Sequence, residues 1–136
     1  MSNIVQYVVV RADLLKTLNW PVGALVAQAC HATTAVVHLF YNHQDTQKYL
    51  EDLDNMHKIV LSVRIFGPIS FKILNSEFQV SNESDLKKLE EKLIEAKIDH
   101  KMWIEQPENF PTCLAVRPYP KEQVQQHFKK LKLFRS

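Results

Sequence analysis

The stretch that decides the fold is "IVQYVVVR", residues 4–11. It is rich in valine and isoleucine, whose branched side chains favour β-strands. Apolar side chains fall on both alternating faces, which is typical of a strand covered on two sides. We therefore expect 4–11 to be the central strand of a layered domain.

The next apolar stretch is "WPVGALVAQACHATTAVV", residues 20–37. Pro21 suits the first turn of a helix, and the pattern predicts a helix that continues to about residue 41. Gln28 and His31 interrupt it three residues apart, so they share one helix face. If that face meets the sheet, both side chains must be hydrogen-bonded. Spacing alone leaves a structural and a functional pair both open.

Helices and strands alternate along the rest of the chain. Residues 43–56 are predicted to form a helix with an inward face, and residues 57–66 a strand. "ESDLKKLEEKLIEAK" (83–97) is an amphipathic helix, and residues 98–106 and 112–118 are strands joined by the loop "PENFP". A last helix begins at Pro120. The predicted inward residues are Tyr49, Leu50 and Leu53, then Leu86, Leu89 and Leu93, and finally Val124, Phe128 and Leu131.

The resulting order, β-α-α-β-α-β-β-α, predicts a layered α/β domain with a mixed sheet. Helical crossovers join parallel strands, whereas a short loop joins antiparallel ones. A length of 136 residues suits one domain that spans 1–136. Residues 62–79 are longer than a strand-to-helix link requires.

Composition limits the chemistry. Two glycines exclude a glycine-rich phosphate loop, no GxSxG motif is present, and the six histidines lack metal-ligand spacing. The two cysteines, Cys30 and Cys113, are interpreted as reduced, buried side chains. No leader segment is visible, and polar residues interrupt the longest apolar run, so we expect a cytoplasmic protein without a membrane partner.

Charged residues give two further hypotheses. Asp13 and Glu105 end predicted strands, where α/β domains place ligands, although ordinary exposed carboxylates explain them equally well. A net charge of +2 does not itself indicate nucleic-acid binding. The last twenty residues are nonetheless basic, which is either a solvated helix face or a surface for an anionic backbone. The basic residues there are Lys121, His127, Lys129, Lys130, Lys132 and Arg135, with Arg117 in the preceding strand.

Two motifs together resemble those of one family. "VVVRADL" followed by "VAQACHA" is similar to the strand and helix that open the type II peptidyl-tRNA hydrolases. "TCLAVRPYPKEQVQQHFKKLKLF" resembles the closing strand and helix of that family. The combination covers both ends of the chain and keeps the order of elements between them.

The resemblance implies a three-layer α/β/α sandwich with a four-stranded mixed β-sheet. It implies hydrolysis of the ester between a peptide and the 3′ ribose of tRNA, with peptidyl-tRNA as partner, no metal or organic cofactor, and homodimers in many members. Arg11 and Asp13 match the family's "RxD", Gln28 and His31 match "QxxH", and Thr112 matches the threonine that opens the last strand.

The chain departs from the family pattern at three places. "PVGA" (21–24) replaces a lysine-containing "GKGK", so Ala24 stands where a lysine is expected and Lys16 is the nearest substitute. Glu105 takes the place of the family's catalytic aspartate, and the loop "PENFP" is shortened. Residues 62–79 have no family equivalent and are interpreted as an insertion.

These positions define the predicted site. Glu105, or Asp13, is expected to activate water, and Thr112 and backbone N–H groups to stabilise the oxyanion. His31 is expected either to polarise a neighbouring group or to hold Gln28 in place. The residues expected to contact tRNA are Arg11, Lys16, Arg117, Lys129 and Lys130. The alternatives are a catalytically weak or inactive RNA-binding module on the same fold, and a protein with no RNA role.

Overall fold

The computed structural model describes residues 3–63 and 82–134, and the elements below are numbered along those residues. The strands are β1 (Ile4–Arg11), β2 (Lys58–Val63), β3 (His100–Glu105), β4 (Phe110–Val116), β5 (Tyr119–Pro120) and β6 (Lys132–Leu133). The α-helices are α1 (Asp13–Lys16), α2 (Val22–Leu39), α3 (Gln44–Glu51), α4 (Asn82–Glu95) and α5 (Lys121–Val124). Two 3₁₀ turns occupy Leu53–Asn55 and Gln125–His127.

The strands form one mixed sheet in the order β3-β4-β1-β2-β6, with β5 paired to the start of β1. β1 and β2 are parallel, whereas β4 is antiparallel to β1 and β3 is antiparallel to β4. The prediction that β1 is central is confirmed. The expectation of four strands is corrected to six within the described residues, because the two-residue strands β5 and β6 extend the sheet.

Helices cover both faces of the sheet, so the predicted three-layer α/β/α arrangement is confirmed. Along β1, Tyr7 and Val9 face a core that contains the leucines of α4. Val8 and Val10 face the opposite core, which contains residues of α2. The alternation follows from the two-residue period of a strand. The stripe of α4 is buried as predicted: Leu86 and Leu93 are fully buried and Leu89 nearly so.

The C-terminal region differs from the predicted long helix. α5 ends at Val124, and Phe128 has a non-helical φ of −118°. The Phe128 ring stacks on Tyr7 with centroids 4.4 Å apart and planes 13° apart. Val124 and Phe128 are buried, as their apolar pattern predicts. The chain after them turns into β6 instead of continuing as a helix, because pairing with β2 satisfies its backbone groups.

Two burial predictions and one boundary are corrected. Leu53 is exposed because α3 ends at Glu51, before the predicted helical face reaches it. Cys30 is exposed, whereas Cys113 is buried as predicted. Of the predicted insertion, Ser62 and Val63 belong to β2, and residues 64–79 lie outside the described residues.

α2 is the one helix of the described residues that is long and apolar enough to cross a membrane. In the structure it packs on the sheet through Leu25, Ala32 and Val36, which belong to the core on that face. This packing is one reason for its apolar composition.

Candidate active site

The residues predicted to be catalytic lie at one edge of the sheet, where strands end or begin. β1 and β3 end at this edge and β4 begins there, because Val10 pairs with Cys113 and Glu105 pairs with Phe110. α2 crosses the face of β3 and β4. The topology therefore brings Gln28 of α2 against Glu105 and Thr112, although 84 residues separate Gln28 from Thr112.

Gln28 is buried and lies at the centre of a hydrogen-bonded chain. Its Nε2 donates to Glu105 Oε2 at 2.7 Å and to the carbonyl of Ala24 at 3.2 Å. Thr112 Oγ1 donates to Gln28 Oε1 at 2.9 Å. An ionised carboxylate can only accept, so Glu105 fixes the orientation of the amide and Thr112 must be the donor at its other end. Each member of the chain is thereby oriented by the next.

Glu105 is the partly exposed end of this hydrogen-bonded chain. Its Oε1 also accepts from Trp103 Nε1 at 3.2 Å and from the backbone N–H of Gln106 at 3.3 Å. The hydrogen bond from Gln28 is the main cause that lowers the pKa of Glu105 below its ordinary value of 4.5. Desolvation raises this pKa, whereas the hydrogen bonds from Trp103 and Gln106 and the charge of His31 lower it further. Glu105 is therefore a carboxylate at neutral pH.

His31 lies beside the carboxylate at the surface. Its ring stacks on the indole of Trp103, with centroids 4.6 Å apart and planes 23° apart. His31 is exposed and Trp103 is partly buried. Trp103 was not predicted as a site residue, although it lies two positions before Glu105 and so on the same face of β3. Strand periodicity from Glu105 is the signal that identifies it.

Arg11 and Asp13 form a compact ion pair at the same edge. Arg11 Nε and Nη2 donate to the two carboxylate oxygens of Asp13 at 3.0 and 2.7 Å. Arg11 Nη1 donates to the carbonyl of Pro111 at 2.9 Å, and its guanidinium lies over the Phe110 ring. Arg11 is buried. Arg11 thus holds the end of β1 against the start of β4, and both carboxylate oxygens of Asp13 accept hydrogen bonds from Arg11.

Comparison with known proteins identifies the family of the chain. The family model described as "Peptidyl-tRNA hydrolase PTH2" matches residues 4–66 and 76–134. The chain belongs to the PTH2 family. A Mus musculus protein named "Putative peptidyl-tRNA hydrolase PTRHD1" is 47% identical over 133 residues, which is 97% of this chain and 83% of the relative. The Homo sapiens protein of the same name is 46% identical over the same shares. This is the branch that "WPVGALVAQACHA" resembles, peptidyl-tRNA hydrolase domain-containing protein 1.

Position 24, where the resemblance leads us to expect a lysine, lies in helix α2. Ala24 is in the first turn of α2, one helical turn before Gln28, and its carbonyl accepts from the Gln28 amide. Residues four apart share a helix face. A longer side chain at position 24 would therefore project on the side of α2 that carries Gln28.

Arg117 lies at the other end of the sheet from the candidate site. It follows the last residue of β4, whereas Thr112 lies near the first. Its Nε donates to Asp99 at 2.9 Å and its Nη1 to Asp45 at 3.1 Å. Its guanidinium stacks 3.6 Å above the Tyr119 ring. Arg117 is buried, so its charge is held by these carboxylates.

The predicted lysines are exposed but dispersed. Lys16 lies in α1, which begins two residues after β1 at the edge that carries the site. Lys129 and Lys130 precede β6, at the opposite side of the sheet from β3. Four strand spacings separate β3 from β6, or about 19 Å. A ligand that contacts both Glu105 and Lys130 must therefore reach across the sheet.

An apolar groove of about 280 Å³ lies on the other flank of α2. Val26, Cys30 and Thr33 line it from the helix, and Val60 and Phe134 from the sheet side. It faces β1 and β2, away from Glu105. Within residues 3–63 and 82–134, no group of three or more His, Cys, Asp or Glu side chains is placed to hold a metal ion.

Proposed function

We propose that the chain hydrolyses the ester between a peptide and the 3′ ribose of tRNA. One observation carries the proposal: a PTH2-family fold presents Glu105, held by Gln28 and Thr112, at the edge where α/β domains place ligands. The related proteins from mouse and human carry a hydrolase name, which supports the same reaction class. The reaction would release free tRNA from peptidyl-tRNA left by stalled translation.

Glu105 orients the attacking water. In ester hydrolysis the water oxygen bonds to the carbonyl carbon, an oxyanion forms, and the ribose oxygen leaves with a proton. An ionised carboxylate accepts a hydrogen bond from the water and can take its proton as the bond forms. The lowered pKa of Glu105 makes it a weak base, so it passes the proton on to the leaving oxygen and does not retain it.

Gln28 and Thr112 act as positioning residues. Both amide hydrogens of Gln28 are used, by Glu105 and by the Ala24 carbonyl. The single hydroxyl hydrogen of Thr112 is used by Gln28, so it does not also serve the oxyanion in this arrangement. We assign the oxyanion to the backbone N–H groups at the start of α2, because the first N–H groups of a helix have no partner within it and carry partial positive charge. The Ala24 N–H donates to the Pro21 carbonyl, so the assignment is to Val22 and Gly23, which precede it.

Exposed lysines provide the contacts to tRNA phosphates. Lys16 lies at the edge of the site, and Lys129 and Lys130 lie across the sheet. tRNA is long enough to reach both regions. Arg11 and Arg117 are buried against carboxylates, so we assign them to the scaffold instead of to the RNA contact.

The second candidate is an RNA-binding module with little or no hydrolysis. The observation in its favour is Ala24, which places a methyl group where the family pattern has an amine. A cation near the oxyanion stabilises the transition state, and its loss lowers the rate. The two candidates share the RNA contact and differ only in bond cleavage.

The test uses purified protein and labelled peptidyl-tRNA, and it measures both binding and release of tRNA. Glu105→Gln keeps the size of the side chain and its acceptor for Gln28 but removes the charge. We expect release to fall by about 10²- to 10⁴-fold while binding changes little. Glu108→Gln, an exposed position in the next turn, is the matched control. Binding without release by the unmodified chain supports the RNA-binding module.

A further inference from the structure

We propose that His31, backed by Trp103, is a stacking platform for the nucleobase at the 3′ end of tRNA. The inference rests on the proposed function and extends it to how the substrate's last nucleotide is held. It assigns His31 a binding role in place of orienting Gln28. The carrying observation is the stacked ring pair beside Glu105.

The ring pair has one covered face and one open side. Trp103 covers one face of the His31 imidazole with planes 23° apart, and His31 remains exposed. Single-stranded nucleic acids are bound by stacking their unpaired bases on Phe, Tyr, Trp or His rings. A base that stacks on the outer face of His31 would extend the column that Trp103 begins.

The platform is held rigidly. His31 lies in the long helix α2 and Trp103 in strand β3, so neither ring depends on a loop. The indole N–H of Trp103 donates to Glu105 Oε1, which fixes the plane of the indole. Since less freedom is lost on binding, a preorganised ring pair binds a base more tightly than a mobile side chain.

The platform and the carboxylate are neighbours, joined through one side chain. In peptidyl-tRNA a single ribose joins the terminal base to the ester. Here a single indole joins the two parts of the site, since Trp103 stacks on His31 and its Nε1 lies 3.2 Å from Glu105. The charge of His31 also reaches Glu105 and lowers its pKa. A base on His31 therefore brings its own ribose ester towards Glu105.

A purely structural reading is that His31 only shields the indole. The two readings differ in one respect: a shield gains nothing from a base on the RNA. A double-mutant cycle that removes the ring from the protein and the base from the RNA separates them.

The experiment measures the affinity of a fluorescently labelled short RNA that ends in CCA, and of the same RNA with an abasic last residue. Neither RNA carries an ester, so binding is read apart from hydrolysis. The protein variants are His31→Ala, His31→Phe and, as the matched control on the same helix, the exposed His38→Ala. Thermal melting confirms that each variant is folded.

We expect His31→Ala to weaken binding of the intact RNA by about 5- to 100-fold, the usual range for one stacked base. His31→Phe retains a ring and should bind within about threefold of the unmodified chain. His38→Ala should change nothing. The abasic RNA should bind weakly to the unmodified chain, and His31→Ala should then cause no further loss.

Equal losses from the abasic end in the unmodified chain and in His31→Ala would overturn the platform, as would failure of the unmodified chain to bind the intact RNA. Release of tRNA from peptidyl-tRNA is measured in parallel. If tRNA is released but the base and the His31 ring show no coupling, the stacking proposal is wrong and the proposed hydrolase function stands. If the base and the ring are coupled but no tRNA is released, the stacking proposal stands and the proposed hydrolase function is wrong.

Discussion

Two buried polar networks lie at opposite ends of the same sheet, and they are built differently. At one end, Thr112 donates to Gln28 and Gln28 donates to Glu105, which is partly exposed. At the other end, Arg117 is enclosed by Asp45 and Asp99 and covered by the Tyr119 ring. The first network, which we call open, ends in the Glu105 carboxylate at the surface. The second, which we call closed, pairs the Arg117 charge with carboxylates inside the fold.

This difference distinguishes a network that can act on a ligand from one that only stabilises the fold. A closed network satisfies its charges internally and leaves little with which to bind a ligand. An open network orients one group that still faces solvent, which is what a reaction with water requires. Arg11 and Asp13 show the same rule at the site's own edge, because their ion pair is closed and joins β1 to β4. The predictions below test this contrast.

Replacement of Arg117 should give the largest effect, and on stability alone. Arg117→Met removes a buried cation and leaves two aspartates without it, one of them largely buried at 15% exposure. We expect a loss of about 3 kcal/mol in the free energy of unfolding. The melting temperature should fall by roughly 10 °C. Chemical denaturation measures the loss, with the exposed Lys92→Met as control. A reduced kcat/KM in the folded variant would contradict the contrast.

Replacement of Thr112 should lower activity and stability together. Thr112→Val keeps the shape but leaves the buried Gln28 carbonyl without its donor, at a cost of about 1–3 kcal/mol. Because Gln28 then orients Glu105 less well, we expect kcat/KM to fall about tenfold. Thr112→Ser restores the hydroxyl and should recover most of both. If the serine variant is as impaired as the valine variant, the hydroxyl is not the cause.

The sequence predicted the open network better than the closed one. The "QxxH" motif, Glu105 and Thr112 each have a family counterpart, so the resemblance identified them before any contact was visible. Arg117 carries no such signal, because a basic residue in a basic region is indistinguishable from a surface charge. Its burial depends on Asp45, which is 72 residues away in the chain.

The fold shows the same limit. The predicted bounds of the long periodic elements β1, α2 and α4 lie within about two residues of those in the structure, because their apolar patterns repeat over several turns or pleats. The C-terminal region was not, since "PKEQVQQHFKKLKL" is helical in pattern but is stopped by the stacking of Phe128 on Tyr7 and by the pairing of β6 with β2. Both are contacts with distant parts of the chain, and they override local propensity.

Addition of a cation at position 24 should raise the activity of the site that the open network forms. Ala24→Lys places an amine one turn before Gln28, on the flank that faces Glu105. A partly exposed charge near the developing oxyanion should raise kcat/KM roughly 2- to 5-fold. Ala24→Met has a similar length without the charge and is the control. An equal gain from both variants would attribute the effect to packing, and the gain should shrink at high salt.

The smallest effect concerns the pKa of Glu105. Gln28 is the largest cause of its lowering and Trp103 a smaller one, so Gln28→Leu should raise the pKa towards 4.5 more than Trp103→Phe does. Because the folded-state pKa is lowered, the stability that Glu105 contributes is complete above pH 4.5 and is lost as the pH falls through the lowered value. Titration of the ¹³C-labelled Glu105 carboxyl measures each pKa. An inverted order would mean that the indole, and not the buried amide, holds the carboxylate, and the open network would then begin at β3 instead of at α2.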